Sequence, residues 1–124
     1  KLRDEILRSK NLIEEITGSK NRIFRPPFGF LTPSLLSICR NLELSIILWD
    51  SNSKDYRGIH PEKIKKRVYK TISQGSVILF HDCKFSDAEF DYTASIEALK
   101  SILEDIIIKG WKPVTIENML GDLI

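Results

Sequence analysis

Three short segments of the sequence carry side chains suited to acid–base chemistry. Together they supply an arginine, several carboxylates and a histidine. A histidine ionises near neutral pH, and a neighbouring carboxylate can orient the ring and hold its proton. The segments therefore predict a general acid–base site if the fold brings them together. They are Arg25-Pro26-Pro27-Phe28-Gly29, the polar stretch from Asp50 to Tyr56, and Leu79-Phe80-His81-Asp82.

Each of these segments is predicted to follow a β-strand. Short apolar runs predict the strands, and helical periodicity with proline starts (Pro33, Pro61) and glycine ends (Gly18, Gly110) predicts the helices. Strands that alternate with helices favour a parallel sheet or barrel, whose ligand-bearing loops gather at the carboxyl ends of the strands. The strands are predicted at residues 22–25, 44–49, 76–80 and 111–115, and the helices at about 2–17, 33–41, 61–73 and 92–109.

The predicted fold class is α/β, with parallel strands forming a partial (β/α) barrel. Four strands are too few to close a barrel, since small barrels need about eight. The strand at residues 22–25 is then expected to have an open edge, and an unpaired apolar edge favours association into a homo-oligomer. A length of 124 residues predicts one domain, residues 1–124.

Composition excludes several other classes of protein. The chain is 42% hydrophobic and 29% charged, as in ordinary soluble globular proteins. Its net charge of +2 does not indicate a nucleic-acid or membrane-surface partner. The apolar runs are too short to form a transmembrane segment, and the charged start from Lys1 to Glu5 is not a signal peptide. Cys39 and Cys83 alone give no disulfide scaffold.

Taken singly, these residues have ordinary explanations, because loop aspartates are mostly turn formers and a lone histidine is more often structural. Taken together, the three segments resemble three consecutive motifs of the polysaccharide deacetylases, carbohydrate esterase family four. The family motifs read Arg-Pro-Pro-aromatic-Gly, Asp-x-Asp-x-x-Asp-Trp, and an apolar strand ending Leu-x-His-Asp. An unrelated α/β domain such as a flavodoxin-like one would lack all three, and the glycine-rich phosphate loop of such domains is not found here. The matching residues are Arg25 to Gly29; Asp50, Asn52, Asp55 and Tyr56; and Leu79, His81 and Asp82.

The resemblance implies a hydrolase that removes acetyl groups from a polysaccharide such as peptidoglycan, chitin or xylan. In such enzymes a divalent metal, usually zinc, binds the acetyl oxygen and the attacking water. His81 would protonate the leaving amine, Asp55 would favour the charged imidazole, and Arg25 would bridge to the family's base aspartate. The backbone N–H of Phe28 would help stabilise the oxyanion. The implied substrate-binding residues are Pro27, Phe28, Tyr56 and Leu79.

Two further motifs of the family are not found in this sequence. One is an Asp-Asp pair that supplies the base and a metal ligand, and the other supplies two metal-binding histidines. Before Arg25 there is no histidine, and the acidic residues lie on the first predicted helix. The chain therefore resembles the C-terminal portion of the catalytic domain without its metal ligands, and we expect it to be inactive alone. Asn52 for Asp and Tyr56 for Trp are milder departures.

The alternative function is a non-catalytic carbohydrate-binding or interaction module derived from the same fold. An Asp-Asp motif and a His-x-x-x-His motif encoded upstream of Lys1 would favour the enzyme, and their absence would favour the module. Family precedent implies an extracellular or cell-surface location. Cys83, two residues after His81, does not predict a metal site, because no further cysteine or histidine lies nearby in the sequence.

Overall fold

The computed structural model describes residues 1–82 and 91–121. Within these ranges the chain forms helices joined by short strands and by two 3₁₀ turns, at Pro27–Gly29 and Asp55–Arg57. The helices are α1 (Leu2–Thr17), α2 (Pro33–Asn41), α3 (Pro61–Tyr69), α4 (Thr93–Ile108) and α5 (Ile116–Leu120). The strands are β1 (Ile23–Phe24), β2 (Ser45–Ile46), β3 (Ser51–Asn52) and β4 (Ile78–Leu79).

The described chain divides into two compact units. The first contains Lys1–Leu48 together with the last described residues, and the second contains Trp49–Met119. The first unit holds α1, α2 and the pair β1–β2, whereas the second holds α3, α4 and the pair β3–β4. The expectation of a single domain stays a prediction.

The ends of the helices follow their local sequence. Thr32 caps α2 with a side-chain oxygen that accepts a hydrogen bond from the backbone N–H of Leu35 at 3.1 Å, and Pro33 occupies the first turn. Gly18 ends α1 with a φ of 67°, a left-handed conformation that costs glycine little, and its N–H donates to the Glu14 carbonyl at 2.9 Å. Helices α1 and α2 therefore have the bounds that the sequence predicts.

Both strand pairs are parallel, as predicted. In the first unit Ile23 aligns with Ser45, and in the second Ser51 aligns with Ile78. Asp50 fixes the second pair by accepting hydrogen bonds from the Ser76 hydroxyl and from the Val77 N–H, each at 2.7 Å. The Ser76 bond, joined by the Val77 bond, lowers the pKa of the exposed Asp50 carboxyl despite some desolvation.

Each described strand pairs with one other strand, so neither two-stranded sheet closes into a barrel. Among the described strands, β1 pairs with β2 along one edge and leaves its other edge open, as the sequence predicts. Association of two chains through that edge stays a prediction.

The strand predicted at residues 44–49 is present but shorter, as β2 (Ser45–Ile46). The backbone changes partner after this run: Ile47 N–H donates to the Phe24 carbonyl at 2.9 Å, whereas Ser51 N–H donates to the Val77 carbonyl at 3.3 Å. Two short strands, β2 and β3, therefore form in two different sheets. Strand β3 lies in the stretch that the sequence indicates as a loop.

The prediction of a strand at residues 111–115 is wrong. The N–H of Trp111 donates to the Ile106 carbonyl at 2.9 Å and completes the end of α4. Pro113 has no N–H to give to a ladder. No described strand pairs with this segment, so its β-propensity alone does not make it a strand.

Each unit has its own apolar core. In the first, α1 and α2 pack through Ile6, Leu35 and Cys39 around Leu44. In the second, Val68 of α3 contacts Ile102 and Ile106 of α4, and Ile78 and Phe80 flank this cluster. The second core supports the end of β4, which leads directly to His81.

Candidate active site

The segment that follows β3 places Asp55 in the interior of the second unit. Ser53 N–H donates to the Leu79 carbonyl at 3.2 Å and prolongs the contact between the two strands. The chain then turns at Lys54, whose φ is 53° and whose N–H donates to the Asn52 side chain at 3.0 Å. An asparagine side chain that bonds two residues ahead is a common way to stabilise such a turn.

The Asp55 carboxylate accepts hydrogen bonds at both oxygens although the residue is only 1% exposed. Oδ1 lies 2.8 Å from Nδ1 of His81 and accepts the Ser53 hydroxyl at 2.7 Å. Oδ2 accepts the backbone N–H of His81 at 3.1 Å. The predicted hydrogen bond between Asp55 and His81 is therefore present, whereas a catalytic role for either residue stays a prediction.

The surroundings of Asp55 favour its ionised form. Burial pushes the pKa of the Asp55 carboxyl upward, but the hydrogen bonds from Ser53 and His81 outweigh burial and lower it below its usual value. An ionised carboxylate can only accept, so Nδ1 of His81 carries a proton and donates it to Asp55. Of the two ring nitrogens, Nε2 is the one that this hydrogen bond does not occupy.

Tyr56 fixes the other side of the imidazole. Its ring meets the His81 ring edge-to-face, with the centroids 4.7 Å apart. The His81 side chain is still 30% exposed, so the ring is held on two sides without being closed off from solvent. This combination suits a group that must keep its orientation and still be reached from the solvent.

The remaining predicted site residues are placed as follows. Leu79 lies in β4 of the second unit, paired with Asn52, while Arg25, Pro27 and Phe28 belong to the first unit. The solvent-exposed Arg25 donates to the carbonyl oxygens of residues 47 and 48 at 3.3 and 3.5 Å. Asp55, Tyr56 and His81 are thus brought into direct contact, and the roles of the others stay predictions.

Phe28 has an unusual backbone for a side chain of its size. It lies in the 3₁₀ turn that begins at Pro27, its φ is 57°, and its ring is 71% exposed and 6.2 Å from that of Phe30. The turn is held by hydrogen bonds from Gly29 N–H and Phe30 N–H to the carbonyls three residues earlier. A left-handed conformation at a non-glycine residue costs about 1–3 kcal/mol and is concentrated at functional sites.

The described residues do not supply a metal centre. No three histidine, cysteine, aspartate or glutamate side chains converge to hold an ion within residues 1–82 and 91–121. A hydrolytic zinc site needs about three protein ligands, so the donor set of these residues does not fit one. Cys83 lies outside the described residues.

Sequence reasoning missed Ser53. Three residues two positions apart, Ser51, Ser53 and Asp55, are all buried, while Asn52 and Lys54 between them are partly exposed. A two-residue alternation fits the extended part from Ser51 to Ser53, and the turn at Lys54 returns Asp55 to the buried side. Small polar residues on the same face as Asp55 were the available signal for a hydrogen-bond partner.

Polysaccharide deacetylases are among the known proteins whose sequences are similar to this chain. A model of the family described as polysaccharide deacetylase matches residues 1–47. A curated peptidoglycan-N-acetylglucosamine deacetylase of Bacillus cereus is 25% identical over 117 residues, which are 94% of this chain and 41% of that protein. The chain spans 17–41% of the length of the first curated relatives that it matches.

Solved structures of the family have the same fold as this chain. A crystal structure of a peptidoglycan N-acetylglucosamine deacetylase superposes with a TM-score of 0.84 at 25% identity, over 94% of this chain and 53% of that one. A mutant of a family-four pseudoenzyme with restored activity superposes with a TM-score of 0.82 at 25% identity, over 95% of this chain and 40% of that one.

These likenesses confirm the predicted α/β fold with parallel strands in a partial barrel. None of the helices in residues 1–82 and 91–121 has both the length and the apolar character that a membrane span requires.

The ordered motifs, the contact between Asp55 and His81 and the shared fold agree on one assignment. The chain resembles the polysaccharide deacetylases, carbohydrate esterase family four, in both sequence and fold.

Proposed function

We propose that this chain supplies the acid side of a deacetylase site that hydrolyses N- or O-acetyl groups on a polysaccharide. The observation that carries the proposal is the buried Asp55 carboxylate, 2.8 Å from Nδ1 of a partly exposed His81. A carboxylate that fixes one ring nitrogen prepares the other to give a proton. Breaking the bond of an acetamide requires such a proton, because an amine anion is a poor leaving group.

The proton transfer proceeds from the charged imidazole. His81 in the imidazolium form donates from Nδ1 to Asp55 and from Nε2 to the nitrogen of the leaving amine. As the carbon–nitrogen bond breaks, that nitrogen takes the Nε2 proton and the ring becomes neutral with its remaining proton on Nδ1. Asp55 stays ionised throughout and stabilises the imidazolium before the transfer.

Other residues take their roles by motif position. Tyr56, in edge-to-face contact with His81, and Leu79 of β4 wall the acetyl group. Arg25, Pro27 and Phe28 are assigned by the same motif positions, Phe28 with a backbone N–H that stabilises the oxyanion. In this family a divalent metal supplies Lewis-acid activation. The described residues do not provide the group of ligands that such a metal needs, so only the acid side of the site is assigned to them.

The substrate and location follow the relatives. The Bacillus cereus relative is named for N-acetylglucosamine of peptidoglycan, an acetylated polymer of the cell wall. We infer that this protein acts on a polymer of that class at the cell surface or outside the membrane. The relevant chemical group is an acetyl amide or ester on a sugar ring.

A non-catalytic carbohydrate-binding module is the second candidate. Two observations favour it: the described residues contain no metal-ligand group, and a pseudoenzyme of the family shares the fold. In such a module Asp55 and His81 would serve as a structural hydrogen-bond pair, and Phe28 would contact the sugar.

Acetate release from an acetylated chito-oligosaccharide separates these functions. The chain alone with added zinc or cobalt is expected to release none. A fusion in which the chain replaces the matching segment of the Bacillus cereus deacetylase is expected to release acetate in a metal-dependent manner. A folded, metal-loaded but inactive fusion would favour the binding module. Activity of the chain alone, lost on His81→Ala, would show that its residues form a metal site after all.

A further inference from the structure

Ser53 is the one site contact that family motifs and sequence spacing leave without a role. Its side chain is fully buried, at 0% exposure. The hydroxyl donates to Asp55 Oδ1 at 2.7 Å and accepts the backbone N–H of Asp55 at 3.3 Å. Both hydrogen-bonding functions of the hydroxyl are thus directed at a single neighbour.

The two bonds act on the orientation of the carboxylate. Oδ1 is shared between the Ser53 hydroxyl and Nδ1 of His81, while Oδ2 takes the backbone N–H of His81. Without Ser53, the hydrogen bonds that the described residues give to the carboxylate would both come from His81. The carboxylate could then rotate relative to the ring, because Tyr56 contacts the His81 ring and not the carboxylate.

We infer that Ser53 is a positioning residue: its hydroxyl holds the Asp55 carboxylate in the orientation that keeps the proton of His81 on Nδ1. The inference rests on the proposed function for its chemical consequence, because only a ring with its proton on Nδ1 leaves Nε2 to the substrate. Ser53 itself touches neither the ring nor, in this scheme, the substrate.

Burial makes the Ser53 contact hard to replace. Asp55 and Ser53 are both almost fully buried, so water cannot readily take the place of a lost hydroxyl. Of the interactions that lower the pKa of Asp55 against the opposing effect of burial, the Ser53 hydrogen bond is the largest. Loss of this bond therefore destabilises the ionised form of Asp55 and also removes a constraint on the orientation of its carboxylate.

The test is Ser53→Ala, observed by the nitrogen NMR shifts of the His81 ring, which distinguish the two tautomers. We expect the ring to shift from the Nδ1–H form toward the Nε2–H form and the slowly exchanging Nδ1 proton to be lost. The carboxyl carbon of Asp55 should titrate at higher pH than in the parent chain. Ser53→Thr keeps a hydroxyl and is expected to restore the parent tautomer.

Ser51→Ala is the matched control. Ser51 is equally buried at 0% exposure, but its hydroxyl bonds to that of Thr71 at 2.8 Å and not to Asp55. A general loosening of the fold would affect both variants alike. We therefore expect Ser51→Ala to keep the parent tautomer of His81.

Two outcomes overturn the inference: an unchanged Nδ1–H form in Ser53→Ala, or the same tautomer shift in Ser51→Ala. Neither depends on enzymatic activity. A tautomer shift specific to Ser53→Ala, in a protein whose deacetylation is insensitive to His81→Ala, would uphold the positioning role and reject the proposed function. The two claims can therefore fail separately.

Discussion

Replacing Asp55 by asparagine is expected to reduce deacetylation by the fusion by about 10²–10⁴-fold. The amide has nearly the shape of the carboxylate but carries one oxygen and one donor group. It cannot accept from the His81 ring, the His81 backbone and Ser53 at once, as Asp55 does. The imidazole then loses its charge partner and the tautomer that leaves Nε2 to the substrate.

The same substitution should destabilise the chain in a pH-dependent manner. The folded-state pKa of Asp55 is lowered, so its contribution is fully present above the unfolded value of about 3.9 and is lost as the pH falls through the folded value. We expect a loss of about 1.5–3 kcal/mol in the free energy of unfolding at neutral pH, as for hydrogen bonds to a charged group. The difference between the two proteins should shrink below about pH 4.

Urea unfolding at several pH values measures this difference, and Asp50→Asn serves as the control for activity. Asp50 is also a hydrogen-bonded aspartate of the second unit, but it is exposed and bonds to Ser76 and Val77. Its replacement should leave the fusion's activity within a few-fold. An Asp55→Asn protein with near-normal activity would remove Asp55 from the site.

Replacing Ile102 by alanine is expected to cost about 2–5 kcal/mol of unfolding free energy. Ile102 is fully buried in α4 and contacts Val68 and Ile106, so the lost methyl groups leave a cavity between α3 and α4. The measurement is urea unfolding followed by the fluorescence of Trp111, which packs against this cluster.

Ile108→Ala on the same helix is the control for helix propensity and composition. Ile108 is 82% exposed, so its replacement should change the free energy of unfolding by no more than about 0.5 kcal/mol. Equal effects of the two substitutions would mean that Ile102 does not lie in a packed core.

The sequence was most informative where a local rule decides the structure. Thr32 followed by Pro33 predicts the start of α2, because capping and a missing N–H are properties of those residues themselves. Gly18 predicts the end of α1 for the same reason. The contact between Asp55 and His81 was predicted from motif order and parallel topology together.

The extents of the strands, which depend on their pairing partners, were not predicted. The apolar run at residues 44–49 looks continuous, yet its backbone bonds to β1 at one end and the chain turns to β4 just beyond it. The segment at 111–115 has strand-like residues but no partner among the described strands. The role of Ser53 likewise depends on where Asp55 lies, which no property of a serine in a loop reveals.

The most direct test of the proposed function compares the two histidines of the chain in the active fusion. His81→Ala should lower kcat/KM for acetate release by about 10²–10⁴-fold, because it removes the proton donor to the leaving amine. His60→Ala, at an exposed position that caps α3, should leave kcat/KM within a few-fold of the parent. A folded His81→Ala fusion that releases acetate as fast as its His60→Ala counterpart would contradict the assignment of His81 as the general acid.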